Sequence, residues 1–131
     1  MDASSPAPLG LPRERRIKHG RDFGRAKTQG RRLTQGCLIL NWVDLPSTSS
    51  SRVGVITSRK IGGAVVRSRA RRVLREAFRL HQRCLSKPVD VVLVARGSIA
   101  GKAYTEVEAD YLQAIKKARL VRPDPAAPAG V

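Results

Sequence analysis

Between Arg59 and Arg83 the chain reads RKIGGAVVRSRARRVLREAFRLHQR, a window with nine Lys or Arg (Arg59, Lys60, Arg67, Arg69, Arg71, Arg72, Arg75, Arg79, Arg83) against one acid, Glu76. Almost all of these cations are arginines. A guanidinium grips phosphate oxygens in pairs through a planar fork, whereas an ammonium acts as a point charge. The segment is therefore suited to a phosphate backbone. The plainer reading is a solvated basic face, but such faces mix both signs, often with Glu four residues before Lys or Arg. Here only Glu76 interrupts, placed to pair with Arg72 or Arg79, and phosphate binding is the stronger reading.

Little else in the chain offers chemistry. Metal-assisted hydrolysis needs several carboxylates converging on one point, but the acids are scattered, and Glu106, Glu108 and Asp110 sit where they suit the start of a helix. His19 and His81 are isolated, and His81 falls on an apolar helix side, which favours a packing role. Cys37 and Cys84 are far apart with no CxxC spacing, so they read as reduced thiols filling core space and not as a zinc site. Gly62-Gly63 lies beside Lys60 but within neither GxGxxG nor GxxxxGK[ST], so a sharp turn is preferred over a phosphate loop.

The arginines need a helix to order them. Over Val66 to Leu85 at 100° per residue, Val66, Ala70, Val73, Leu74, Ala77, Phe78, Leu80, Cys84 and Leu85 share one side. Arg69, Arg71, Arg72, Arg75, Arg79 and Arg83 take the other, so one side packs while the other binds. Before this helix, a short helix is predicted over Arg21 to Gln29, ended by Gly30, with Phe23 as its one large apolar residue. Cys37 to Val43 and Arg52 to Thr57 read as strands joined by a polar loop, pairing as an antiparallel hairpin. Trp42 and Asn41 point to opposite faces of the first strand, Asn41 on the side of Ile39. Val89 to Ala95 reads as a buried strand. Thr105 and Glu108 suggest a capping box for a last helix carrying Val107, Tyr111, Ala114, Ile115 and Ala118 on one stripe. The expected order is helix, two strands, basic helix, strand, helix: a single α+β domain with a small sheet packed by helices on one side.

The whole chain agrees with a nucleic-acid partner. Its 131 residues allow one domain, spanning residues 13–121 between Pro/Ala-rich segments, 1–12 and 122–131, that read as disordered tails. It carries 26 basic against 10 acidic residues, with a sequence pI near 11.5, a footprint of nucleic-acid binding. Aromatics are only 4%, so base stacking must be limited and backbone contact must carry the affinity. No apolar run approaches the roughly 20 residues that span a bilayer and no signal peptide is evident, so a cytoplasmic location is expected.

The run Arg67-Ser68-Arg69-Ala70-Arg71-Arg72-Val73-Leu74-Arg75-Glu76-Ala77-Phe78-Arg79, after Val53-Gly54-Val55-Ile56-Thr57-Ser58-Arg59-Lys60-Ile61-Gly62, resembles the protein subunit of bacterial ribonuclease P. Arg21-Asp22-Phe23, Gly30-Arg31-Arg32-Leu33 and Asp90-Val91-Val92-Leu93-Val94-Ala95-Arg96 extend the resemblance in order and spacing over about Arg16 to Ala118. It implies a ribosomal-protein-S5-domain-2-like architecture with a left-handed βαβ crossover, against the usual right-handed rule. It also implies that Arg59, Lys60, Arg67, Ser68, Arg69, Arg71, Arg72, Arg75 and Arg79 contact a catalytic RNA subunit. Phe23, Lys27, Ile39 and Asn41 would meet the single-stranded 5′ leader of precursor tRNA. Cleavage, which frees the mature tRNA 5′ end, would belong to the RNA and to Mg²⁺ held mainly by RNA and substrate, with no catalytic residue or metal ligand in the protein. No obligate protein partner or membrane is implied.

Three positions depart from the family pattern. Ser68 stands where the signature has Asn, Lys27 where a second aromatic is common, and Asn41 where tyrosine is frequent. The last two exchange stacking surface for polar or charged groups, so leader affinity is expected to be steeply salt-dependent, with a logarithmic slope of about −0.7 per phosphate neutralised on a single strand. A ribosomal or other structural RNA-binding protein is the competing reading, and a DNA-binding helix-turn-helix is disfavoured because a strand and Gly-Gly precede the basic helix.

Overall fold

The computed structural model describes residues 15–18 and 20–121. The two predicted tails and His19 lie outside these residues. In chain order the elements are α1 (Gly20–Thr28), β1 (Arg31–Gln35), β2 (Leu38–Asp44), β3 (Arg52–Ile56), α2 (Ala64–His81), β4 (Val89–Ala95) and α3 (Tyr104–Lys117), with short 3-10 turns at Arg59–Ile61, Gln82–Cys84 and Gly97–Ile99.

The four strands lie in the order β1-β2-β4-β3. β2 runs antiparallel to both β1 and β4, while β3 and β4 are parallel. The expected hairpin between β2 and β3 is thus not formed, because β4 lies between them. Its sequence explains why: VDVVLVA is apolar on both faces and needs the centre of the sheet, whereas β3 carries Arg52 and Gly54 on one face and takes an edge. β1, RRLTQ, is a strand the sequence did not announce. Only Leu33 on it packs on the main core, too little alternation to signal a strand. The β1–β2 register, with Gln35 opposite Leu38, leaves a two-residue turn at Gly36-Cys37. Gly36 has φ +53, the positive value such tight hairpin turns demand.

The β3-α2-β4 unit is a parallel crossover whose hand follows from one hydrogen bond. Val53 faces the main core, while its carbonyl accepts from Ile17 N (2.8 Å) on the side away from β4. Viewed from α2 with β3 pointing up, an L-residue facing the viewer directs its N–H and C=O to the right. β4 therefore lies to the left, and the crossover is left-handed, as the resemblance implied and against the common rule.

Helices cover both faces of the sheet, correcting the expected one-sided packing. On one face α2 and α3 close the main core, in which Leu38, Leu40, Leu74, Phe78, Val91, Leu93, Tyr111 and Ile115 are fully buried. α1 covers the other face with a smaller cluster, in which Ile17, Ala26 and Val92 are buried and Phe23, Val43, Ile56 and Val94 partly so. The start of α3 also differs. The cap is Ala103, whose N–H donates to Glu106 Oε1 (3.0 Å), and not the Thr105–Glu108 box. Alanine offers no side-chain acceptor, so Glu106 N–H donates instead to the Ala103 carbonyl (3.0 Å). Glu108 is engaged elsewhere: its Oε2 meets His81 Nε2 (2.7 Å) and accepts from Tyr104 Oη (3.3 Å). His81 thus bridges α2 to α3.

Candidate nucleic-acid interface

α2 delivers its arginines as the periodicity requires. Ala70, Val73, Leu74, Ala77 and Phe78 are buried on the inner side, so the outward stripe is fixed by the core. Ser68 and Arg72 are exposed, with Arg59 and Lys60 exposed on the turn before the helix. The other arginines of α2 are half-buried, and Arg83, on the 3-10 turn that follows the helix, is exposed. Arg69 Nη2 donates to the Lys102 carbonyl (2.7 Å), tying α2 to the loop before α3. Arg71 donates to Thr57 Oγ1 (2.8 Å) and Ser68 Oγ (3.2 Å). The predicted Glu76 pairing is with Arg79, whose Nε donates to Glu76 Oε1 (2.9 Å). That contact holds the Glu76 carboxyl below its ordinary range and raises Arg79.

A cavity of about 380 Å³ opens on this stripe, lined by Arg16, Ser68, Arg71, Arg72, Arg75, Glu76 and Arg79. Burial, then the neighbouring Arg16 and Arg71, lower the Arg75 pKa. Like charges crowded in a partly dry groove are costly without an anion, and a phosphate there would relieve them. Arg16 was not among the predicted contacts. The basic run Arg13 to Arg16 was its signal, but only pairing with the β3 edge places it beside α2.

On the opposite face lies a groove of about 480 Å³ lined by Lys27, Thr28, Arg32, Ile39, Asn41, Ile56 and Val94. Three of the four predicted leader contacts, Lys27, Ile39 and Asn41, meet here. Phe23 does not line it. One turn earlier on α1, its ring packs over Gly54, where an added Cβ would sit 2.5 Å from Phe23 Cε1. Thr28, Arg32, Ile56 and Val94 were missed, since their convergence depends on strand pairing: Ile39 and Ile56 both lie opposite Val94.

α1 is held above this groove largely by charge. Asp90, fully buried on β4, accepts from Arg52 Nε (2.8 Å) and Nη2 (2.6 Å) on the neighbouring strand and from Arg25 Nη2 (3.2 Å) on α1. Asp22 adds contacts to Arg52 (3.6 Å) and Arg25 (4.0 Å). The two arginines and two aspartates balance, and the buried Asp90 is paired as burial of a carboxylate requires. Cys37, buried at the β1–β2 turn, has its thiol pushed up to about 12 by burial and the Asp110 carboxylate. It is a packed thiol, not a nucleophile.

The ribonuclease P family model matches residues 11–119. The ribonuclease P protein component of Syntrophomonas wolfei is 36% identical over 110 residues, covering 84% of this chain and 92% of that one, and that of Halalkalibacterium halodurans is 30% identical over 113 residues, covering 86% and 95%. Among solved structures, the RNase P protein of Staphylococcus aureus aligns with TM-score 0.75 at 23% identity, covering 82% of this chain and 98% of that one. The RNase P protein of Thermotoga maritima aligns with TM-score 0.70 at 24% identity, covering 78% and 96%. The fold is shared with these solved structures, and the chain belongs to the ribonuclease P family as its protein component.

Proposed function

We propose that the α2 stripe binds the RNA subunit of ribonuclease P, while the groove between α1 and the sheet holds the single-stranded 5′ leader of precursor tRNA, promoting endonucleolytic release of the mature tRNA 5′ end. The observation that carries the reading is the cavity where Arg16, Arg71, Arg72, Arg75 and Arg79 converge around one acid, Glu76. Paired guanidiniums in a groove fit a folded phosphate backbone. The second groove suits a single strand. Ile39, Ile56 and Val94 form an apolar floor, with Lys27 and Arg32 as cations at its rim.

The hydrolytic step would then belong to the RNA. Among the described residues no three His, Cys, Asp or Glu side chains converge to hold a metal ion. Ions needed for the reaction would be held by RNA and substrate phosphates. What the protein supplies is binding: charge that holds the RNA subunit and a groove that adds leader contacts. Among the described residues no helix is long and apolar enough to cross a membrane, and the proposed place of work is the cytoplasm.

The test is multiple-turnover cleavage of a precursor tRNA by a bacterial ribonuclease P RNA at low Mg²⁺, with wild-type protein and with an Arg72→Ala/Arg75→Ala variant. Wild type should stimulate and the variant should need much higher protein concentration. RNA binding by wild type without stimulation of its cognate RNA would overturn the reading.

A further inference from the structure

The sheet groove has a neighbour. A second cavity, of about 310 Å³, lies where the end of α1 meets β1 and the close of α3, with Gln29, Arg31, Trp42, Asp44, Lys87 and Arg119 in its wall. Its one acid, Asp44, pairs with Lys87 (3.0 Å). Arg31 and Arg119 are exposed and make no ion pair among the described residues. The chain passes directly from one cavity to the other at two places: Thr28 lines the first and Gln29 the second, Arg32 the first and Arg31 the second. Because successive strand residues point to opposite faces, edge strand β1 carries a guanidinium on each side of the sheet.

Arg119 adds an independent observation. It alone among the described non-glycine residues has positive φ, +60, at the turn closing α3, where Leu120 N donates to the Ile115 carbonyl (2.9 Å). Glycine is the usual residue there, since a Cβ is strained in this conformation. A strained position that keeps a long cation, aimed into a basic cavity, points to use of the side chain.

We propose that this second cavity is a further phosphate-binding site for single-stranded RNA, taking leader nucleotides beyond those held on the sheet, with the strand passing over the β1 edge between Arg32 and Arg31. The inference rests on the leader reading of the sheet groove.

The test uses the full chain and its holoenzyme, with leader oligonucleotides and precursor tRNAs of graded leader length, and an Arg31→Gln/Arg119→Gly variant. Glycine fits φ +60, so the variant's melting temperature should not fall through that turn and a binding loss reports the side chains. Wild-type affinity should keep rising after short leaders fill the sheet groove, whereas the variant should plateau. Its salt slope on long leaders should be shallower by about 1.4, 0.7 for each of two phosphates. Equal length dependence in both proteins, an equal loss at every length, or a loss confined to RNA-subunit affinity overturns the proposal. A Lys27→Ala/Arg32→Ala variant separates the two readings. If it weakens short leaders while Arg31 and Arg119 leave long ones unchanged, only the extension fails; if it is silent at every length, the leader reading fails and the extension with it.

Discussion

The two faces of the sheet hold their helices by different forces. α2 is seated by a large apolar core, with Leu74, Ala77 and Phe78 fully buried, and its arginines ride outside that core. α1 is seated over a three-residue buried cluster and a network centred on Asp90. Apolar burial does not depend on what the outer side carries, so α2 should tolerate changes in its arginine stripe. A charge network has directional partners and a desolvated centre, so the position of α1, and with it the shape of the groove proposed for the leader, hangs on a few side chains. On the proposed roles, the first face separates folding from binding, and the second joins them.

That contrast breaks most sharply at Asp90. Replacing it by Asn leaves Arg52 and Arg25 facing a neutral amide, and removing one partner of a buried pair costs about 3 kcal/mol. Urea unfolding should show that loss, and leader affinity should fall by more than RNA-subunit affinity; equal losses would mean that α1 is not held independently. A smaller effect is expected at Gly54, where a methyl group would lie 2.5 Å from the Phe23 ring. Gly54→Ala should cost about 2 kcal/mol through overpacking and again weaken leader binding first, since the ring must lift α1. The opposite behaviour is expected of Arg72. Arg72→Ala should change stability by no more than about 0.5 kcal/mol while reducing the salt slope of RNA-subunit binding by about 1. A thermal melt beside a salt titration checks both, and a stability loss comparable to that at Gly54 would erase the distinction between the faces.

The arginine stripe was legible in the sequence, because a 3.6-residue period in a long segment leaves few ways to orient it: Ala70, Val73, Leu74, Ala77 and Phe78 went inward as their spacing required. Even so, the stripe is less free than its sequence suggests. Arg69 is tied to Lys102 and Arg71 to Thr57, contacts from distant segments that periodicity does not reveal. The groove was harder to read. Lys27, Ile39 and Asn41 were expected to work together and do meet, whereas Phe23 stands one turn away from them, over Gly54 on a strand 31 residues away in sequence.

By itself the sequence determined the charge, the arginine helix, the apolar central strand and the family pattern that joins them, since each is written in local composition and spacing. Strand order it could not settle. A polar edge strand such as β1 carries almost no period, and β2 and β3 look like a hairpin until β4, apolar on both faces, takes the place between them. From that insertion follow the left-handed crossover, the burial of Asp90 between Arg25 and Arg52, and the meeting of Arg16 with α2. Tertiary structure decided these because they are contacts between segments far apart in the chain, selected by which arrangement buries the most apolar surface without stranding a charge.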